Sequence, residues 1–448
     1  MTMELEVPIQ PKLPFYLRGN YAPVADEIES FDLKVEGAVP EGLDGVYLRN
    51  GPNPAPGKHS GHWFMGDGML HGLRLGGGKA HWYRNRWVKT RALEGVQMRD
   101  QFGRADRTVG ASNTHVVPHN GQIYALVESS FPMRMSPDLE TLGTTDFGGK
   151  LDSAFTAHPK ICPETGEMHA FGYDWQAPLL VYFVIDRQGN YIQREEIAVA
   201  GPTMIHDFAL TRNHAIFMDL PVVFDIERAM KGTMPYAFSD SYPARLGILK
   251  RGRPSSETRW VSLKPNYVFH VSNAYEEADG SIVIDVARYD EMWRANSGAF
   301  DDARMHRWTV RPGASAAVET PLDDRSIEFP RIDERLNGLP HRYAYAPMGA
   351  GKSMGVDQEF SLLARYDMAT GKRTERDFGQ AVMSEFVHAP KRADSAEDDG
   401  WLMGFVYDKP NNTSAFHILD AATLESQAKI HLPRRVPQGF HGSWAPGL

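Results

Sequence analysis

The chain has 448 residues and a formal net charge of −9, so the basic stripe that nucleic-acid phosphates require is not expected, and no nucleic-acid partner is. Hydrophobic residues make up 42% of it, enough for a large core, and no run of ~18 apolar residues exists to span a membrane as a helix. The single cysteine, Cys162, excludes an intrachain disulfide and fits a reducing compartment.

The opening stretch, MTMELEVPIQPKLPFYLRGNY, lacks a basic region followed by an apolar run. A signal peptide is therefore not expected, and a cytoplasmic location is. Peripheral contact with a membrane through an exposed apolar patch stays open. Short runs rich in Val, Ile, Tyr and Phe then follow along the chain and predict strands. They include Gln122–Val127, Leu179–Ile185, His214–Met218, Ser281–Val286, Ser361–Tyr366 and Trp401–Tyr407. Between them lie turns led by Asp or Pro and closed by Gly or Leu, at Asp138–Leu142, Pro163–Gly166, Asp186–Gly189, Asp367–Gly371 and Asp420–Leu424. An Asp side chain bonds its own downstream backbone and Gly accepts positive φ, so each predicts a hairpin connection. The best helical candidate, Asp225–Lys231, is short. The segment 221–249 reads as a plain long loop, with a tunnel mouth or lid as the alternative.

These signals predict an all-β chain. Repeated four-stranded meanders of about 40–60 residues favour a β-propeller over a sandwich or a chain of barrels. No linker or charge run divides the sequence, so residues 1–448 are expected to form one domain. The basic knots at 250–253 and 434–435 read as solvated loops.

Most of the 17 histidines call for nothing beyond a surface or satisfied structural role. His59, His62, His71 and His81 crowd a segment rich in Gly and aromatics; His115 and His119 are among those at strand ends and loops. Four have a different context: His158 in Ala157-His158-Pro159, His206 in Ile205-His206-Asp207-Phe208, His270 in Phe269-His270-Val271, and His441 in Phe440-His441-Gly442. Neither HExxH nor a CxxC pair is present, so local zinc motifs have no support. Wide spacing does suit a propeller, where each blade can send one inner side chain to the axis. Spacing alone leaves a structural role open for each of the four.

The contexts of these residues resemble the carotenoid cleavage oxygenase family along nearly the whole chain. Gly19-Asn20-Tyr21-Ala22-Pro23-Val24 and Tyr47-Leu48-Arg49-Asn50-Gly51-Pro52-Asn53-Pro54 are similar to its N-terminal signature. His62-Trp63-Phe64, Gly66-Asp67-Gly68-Met69-Leu70-His71 and Trp82-Tyr83-Arg84-Asn85-Arg86 follow in the family's order. The resemblance implies a seven-bladed propeller with Fe(II) on its axis, a loop and short-helix cap over one face, and His158, His206, His270 and His441 as iron ligands. It further implies that Glu128, Glu328 and Glu385 accept the outer N–H of three of those rings. Apolar neighbours, such as Phe329-Pro330 beside Glu328, make burial of these carboxylates plausible, and a buried carboxylate needs a partner.

Imidazole suits Fe(II), and carboxylates behind the ligands fix ring tautomers and raise basicity. The implied reaction joins O2, as co-substrate, to a small apolar conjugated alkene and yields two carbonyl products. Aromatics close to the ligands in sequence, namely Phe155, Phe208, Phe269, Tyr275, Phe329 and Trp444, are candidates for the substrate pocket. Stilbene-cleaving members of the family carry a Lys just before the first of these glutamates; this chain has Val127. An apocarotenoid or related polyene is therefore the favoured substrate, with an aryl alkene of the stilbene, isoeugenol or 4-vinylphenol type as the alternative. Two other classes remain: a non-enzymatic binding propeller, whose axis would be free of converging histidines, and a calcium-dependent propeller hydrolase, whose axis would be lined by Asp and Asn.

Overall fold

The structure is a computed structural model that describes residues 13–58, 60–294, 301–350 and 359–448. His59 and most of the stretch read for a signal peptide lie outside the described residues. The expected strands form at Gln122–Leu126, Leu180–Ile185, His214–Asp219, Ile282–Tyr289, Leu362–Asp367 and Gly400–Asp408. All five predicted turns join antiparallel neighbours, as in the pairing of Ala415–Leu419 with Ser426–His431 around Asp420–Leu424.

Seven antiparallel sheets follow one another around a ring, the blades of a propeller. Blades 2 to 5 are complete four-stranded meanders that begin at His115, Lys160, Ala209 and Tyr267. Blade 6 has three strands from Tyr343 to Asp377, and its inner edge is completed by bridges from Ile327 to Met348 and from Arg331 to Tyr345. Blade 7 spans Val382–His431 and takes Val35–Gly37 as its outer strand, pairing Val35 with Ile430. Blade 1 is built on Gly45–Pro52, Gly68–Gly76 and Lys79–Trp87, with Gly442–Pro446 as its inner strand. Pairing of Gly45 with Pro446 thus closes the ring and removes what would be two open edges.

The core lies between blades. On the strand Leu180–Ile185, the side chains of Leu180, Tyr182 and Val184 pack toward blade 4, while Val181, Phe183 and Ile185 pack toward blade 2. Both faces are buried, which is why that stretch reads as a continuous apolar run rather than an alternation. Each fully buried side chain of this kind contributes roughly 1.5–3 kcal/mol.

Segment 221–249 differs from the loop expected. Val222–Phe224 pairs with Tyr236–Phe238 in a hairpin set apart from the blades. Its tip is a single helical turn, Ile226–Met230, whose first amides bond the Asp225 side chain at 2.9 and 3.1 Å. Arg245–Lys250 belongs to blade 4. The basic knots also differ from solvated loops. Arg251 bonds Glu167 at 2.7 Å and the carbonyl of Arg212 at 2.9 Å, and Arg435 bonds the carbonyls of Asn20 and Ala22 at 2.9 and 2.6 Å. Arg251 thereby links blade 4 to blade 3, and Arg435 links the stretch before the last strand to residues 20–22.

Candidate metal centre and active site

Every blade sends one residue of the predicted site to the axis. His441 immediately precedes the inner strand of blade 1, and His158 and His206 precede those of blades 3 and 4. His270 lies within the inner strand of blade 5. Glu128 follows the second strand of blade 2, Glu328 sits on the inner edge of blade 6, and Glu385 lies between the two inner strands of blade 7. All four histidines are buried, and each brings one ring nitrogen to within 4.8 Å of the others.

The separations of these nitrogens are informative. Nε2 of His158 lies 3.0 Å from Nε2 of His206, which lies 3.2 Å from that of His270, which lies 3.1 Å from that of His441. With metal–nitrogen bonds of about 2.1 Å, neighbouring donors stand roughly 3.0 Å apart at right angles and roughly 3.4 Å apart in a tetrahedron. The three separations fall within this range, so the four nitrogens could share one ion.

Tautomers give an independent reason for a cation. Nδ1 of His206 meets Glu128, Nδ1 of His270 meets Glu328, and Nδ1 of His441 lies 3.0 Å from Glu385. A ring that donates from Nδ1 to a carboxylate presents a bare lone pair at Nε2. Three such lone pairs converge in a buried space, an arrangement suited to a bound cation. The remaining carboxylate oxygens are also satisfied. Tyr173 donates to Glu128 at 2.5 Å, Tyr289 donates to Glu328 at 2.6 Å, and the Gly442 amide donates to Glu385 at 2.8 Å. Among the described residues no carboxylate pairs with His158.

Burial, then the neighbouring histidines, pushes His158 and His441 well below the usual imidazole range. At neutral pH these rings are neutral, as metal ligands must be. Burial also lowers His206, but the Glu128 carboxylate outweighs it and the net shift is upward. Burial and the charge on Glu128 or Glu328 raise Tyr173 and Tyr289 well above the ordinary phenol value, so both remain donors.

Asp207 binds three ligand segments together. It adjoins His206 in sequence, one oxygen accepts from the Val271 amide next to His270 at 2.9 Å, and the other lies 2.8 Å from Nζ of Lys160, two residues beyond His158. His115 is also part of the setting. Its ring packs 5.1 Å from that of His441 and 5.7 Å from that of His158, and its Nδ1 lies 2.8 Å from the Ala157 carbonyl oxygen. Sequence reading assigned neither residue a role, and only the position of Asp207 beside His206 offered a signal.

A cavity of about 220 Å³ opens above His206, His270 and His441. Two of the six proposed pocket aromatics, Phe269 and Phe329, line it. Phe269 does so through an irregularity in blade 5: register shifts between Val268 and Val271 and again between Val271 and Asn273 allow consecutive residues 269 and 270 to face the same space. Phe329 adopts φ of +52°, which directs its ring to within 4.9 Å of His270 and 5.2 Å of His441.

The other four lie elsewhere. Phe155 packs on Phe183 between blades 2 and 3, and Phe208 packs on Phe171 between blades 3 and 4. Trp444 packs between blades 7 and 1, and Tyr275 lies against His341 at the far end of its strand. The walls come instead from Trp63, Phe64, Tyr173, Trp175, Tyr236 and Phe440. Tyr236, with Met234 and Pro235, comes from the hairpin that was expected to be a plain loop. A second, more polar cavity reaches His158, His270 and His441, past Lys160, Asp207 and Arg331, and Phe329 borders both.

This axis does not suit the two other classes considered. Among the described residues the group of side chains placed to hold a metal consists of histidines, not of Asp and Asn, and a plain binding propeller would have no such convergence.

The Retinal pigment epithelial membrane protein family model matches residues 21–446. The chain is 38% identical to a carotenoid cleavage oxygenase of Mycobacterium tuberculosis, over 96% of this chain and 97% of that protein. It is 34% identical to carotenoid 9,10(9',10')-cleavage dioxygenase 1 of Phaseolus vulgaris, over 95% and 88%. Its fold is similar to the crystal structure of a Pseudomonas brassicacearum lignostilbene dioxygenase, with a TM-score of 0.87, 28% identity, and coverage of 98% of this chain and 100% of that one. From the axis geometry and these likenesses together, the chain belongs to the carotenoid cleavage oxygenase family.

Proposed function

We propose that the protein is an Fe(II)-dependent dioxygenase that cleaves a conjugated C=C bond of an apocarotenoid or related polyene into two carbonyl products. One observation carries this reading: four histidine nitrogens converge at the base of an apolar cavity, three of them on rings held by glutamates, of which Glu328 and Glu385 are buried and Glu128 partly so. Ferrous iron, when bound, supplies the electrons that make O2 reactive toward an alkene. His158, His206, His270 and His441 would hold it, with Glu128, Glu328 and Glu385 orienting the rings.

The chain's other groups bind and exclude. Phe269 and Phe329 form an apolar wall beside the metal-facing rings, which orients a flat polyene and keeps water away. Tyr173 and Tyr289 keep their protons and fix Glu128 and Glu328. One alkene and one O2 give two carbonyls with every atom accounted for, so no side chain is needed as acid or base.

Val127 lines the cavity, and no lysine does among the described residues, which supports a polyene over a phenolic stilbene. The aryl-alkene reading keeps support from the small cavity volume and the likeness to the lignostilbene dioxygenase. Exposed Met65, Phe102 and Met230 lie on segments that border the cavity and support contact with a membrane surface there. Liposome flotation tests that reading: loss of binding in Met230→Glu supports it, and no binding by the native protein removes it.

The central experiment is anaerobic iron loading followed by product analysis with apocarotenoids, stilbenes and 4-vinylphenols. Aldehyde or ketone pairs formed with O2 uptake, and lost together with iron in His206→Ala, are expected. Retained iron and activity in that variant would remove His206 from the ligand set. No cleavage of any alkene by loaded protein would overturn the function.

A further inference from the structure

The wall of the apolar cavity carries a charged group that the cleavage chemistry does not use. Arg99 and Arg107 both converge on Asp174. Arg99 Nη2 lies 3.2 Å from Asp174 Oδ1, and Arg107 pairs with Asp174 Oδ2. The second amino group of each guanidinium is tied to backbone: Arg99 to the Gly103 carbonyl at 2.7 Å and Arg107 to the Ser129 carbonyl at 2.9 Å. All three side chains line the cavity. Asp174 also accepts from the Gln176 amide at 3.2 Å, so its own capacity is largely spent.

Glu128 and Glu328, the other carboxylates in the wall, are committed to histidine and tyrosine. Two guanidiniums against one carboxylate leave this end of the cavity with a net positive charge. Burial pushes the Asp174 carboxyl up, but Arg107 and Arg99 bring it below its ordinary value, so it does not gain a proton that would alter the count. Trp175 extends the group: Arg99 lies 5.6 Å from its ring centre, and the ring stacks on Phe224 of the hairpin at 4.9 Å. Asp174 follows Tyr173, whose hydroxyl reaches Glu128. The charged end and the metal-facing end are therefore held by adjacent residues of one strand terminus.

A cavity that bound only hydrocarbon would have no use for a partly desolvated, uncompensated cation. Each guanidinium amino group keeps a second N–H beyond the bond it makes here, and charged donors of this kind hold a carboxylate strongly. We propose that Arg99 and Arg107 recognise an anionic terminus, so that the substrate is a conjugated alkene ending in a carboxylate, anchored at a fixed reach from the histidines. This deepens the polyene reading above and rests on it. The anchor would set which double bond lies over the metal-facing rings.

The test uses iron-loaded protein held anaerobically, where a polyene binds without being cleaved, and follows quenching of tryptophan fluorescence. All-trans-retinoate is expected to bind more tightly than all-trans-retinol by ~10–100-fold, the range for a hydrogen bond to a charged group. Arg107→Leu and Arg99→Gln should each remove most of that preference while weakening retinol far less, and Arg107→Lys should retain part of it. If Arg107→Leu fails to fold, the more exposed Arg99 carries the test. Equal affinity for the acid and the alcohol, or variants that weaken both alike, would overturn the inference. Admission of O2 then separates the two ideas. Cleavage of both retinoids at similar kcat/KM with no acid preference in binding removes only the anchor, whereas acid-selective binding without cleavage of any polyene removes the proposed function and leaves the anchor standing.

Discussion

Lys160 Nζ lies 2.8 Å from Asp207 Oδ1, in the wall of the polar cavity that reaches His158, His270 and His441. Asp207 is 1% exposed, so its charge depends on that partner and on the backbone amides of Phe208 and Val271. The pair connects blade 3 to blade 4, and the Val271 amide extends the connection to blade 5. It thereby sets the mutual spacing of three ligand-bearing segments.

Removing one partner should therefore cost more than an exposed ion pair would. Lys160→Met leaves a buried carboxylate without its counter-ion and is expected to destabilise the iron-free protein by about 2–4 kcal/mol. Denaturant unfolding measures it. Asp207→Asn should also loosen the histidines and lower the iron bound per chain after anaerobic loading. Unchanged stability and unchanged iron in both variants would show that the pair is incidental.

The three glutamates should not be equivalent. Glu128→Gln and Glu328→Gln each lose an anionic acceptor for one Nδ1–H, and a loss of ~10–100-fold in metal affinity or rate is expected. The second partners of Glu128 and Glu328 are the Tyr173 and Tyr289 hydroxyls, which can turn to accept from an amide. Glu385 instead faces the Gly442 amide and, at 3.3 Å, Arg331, which can only donate. In Glu385→Gln an amide NH2 would face one of those donors, so the greatest loss is expected there. Chelator competition measures affinity, and O2 uptake measures rate.

Phe329 allows a test of backbone strain. Its φ of +52° lies in the left-handed region, which costs a residue with a Cβ roughly 1–2 kcal/mol. Phe329→Ala and Phe329→Gly both lose the ring, but only Gly relieves the backbone. The glycine variant should be more stable than the alanine variant by about 1 kcal/mol, the reverse of the usual order in a strand. Equilibrium denaturation of the pair decides it.

Glu276 offers a pH test away from the metal. Burial pushes its carboxyl up, but hydrogen bonds from His214, Thr211 and Asn213 bring it down to about 2 from an ordinary 4.5. Its folded pKa is depressed, so the stability it contributes is present above pH 4.5 and lost as pH falls toward 2. The side chain is partly exposed, and after solvent screening its contribution is about 1–2 kcal/mol. Glu276→Gln should lower the Tm at pH 7 and flatten the decline between pH 5 and 2. An identical acid profile in the two proteins would remove this assignment.

Strands and turns were legible because local chemistry dictates them: Val- and Phe-rich runs bury both faces between blades, and Asp–Gly turns set the hairpins. The ligand histidines were legible only through their sequence contexts, since a residue on the axis leaves no periodic trace. The pocket was mostly illegible for a geometric reason. Phe155 and Phe208 stand two or three residues from a ligand, yet their side chains leave the axis and enter the gaps between blades. Trp63, Tyr173 and Phe440 meet above the histidines although they come from remote parts of the chain. Arg99 and Arg107 gave no signal, because an arginine in a polar loop has the same sequence appearance whether it faces solvent or a cavity.

The strand Gly442–Pro446 that closes blade 1 also bears on how the metal centre would assemble. His441 reaches the axis only when that strand has paired with Gly45–Pro52, a contact of extreme sequence separation and so of slow formation. Until then the nascent ring offers at most three imidazoles, and ferrous ion has little reason to stay. Metal capture would thus wait until the circle is shut, and a bound ion would add its binding energy to closure of the seam.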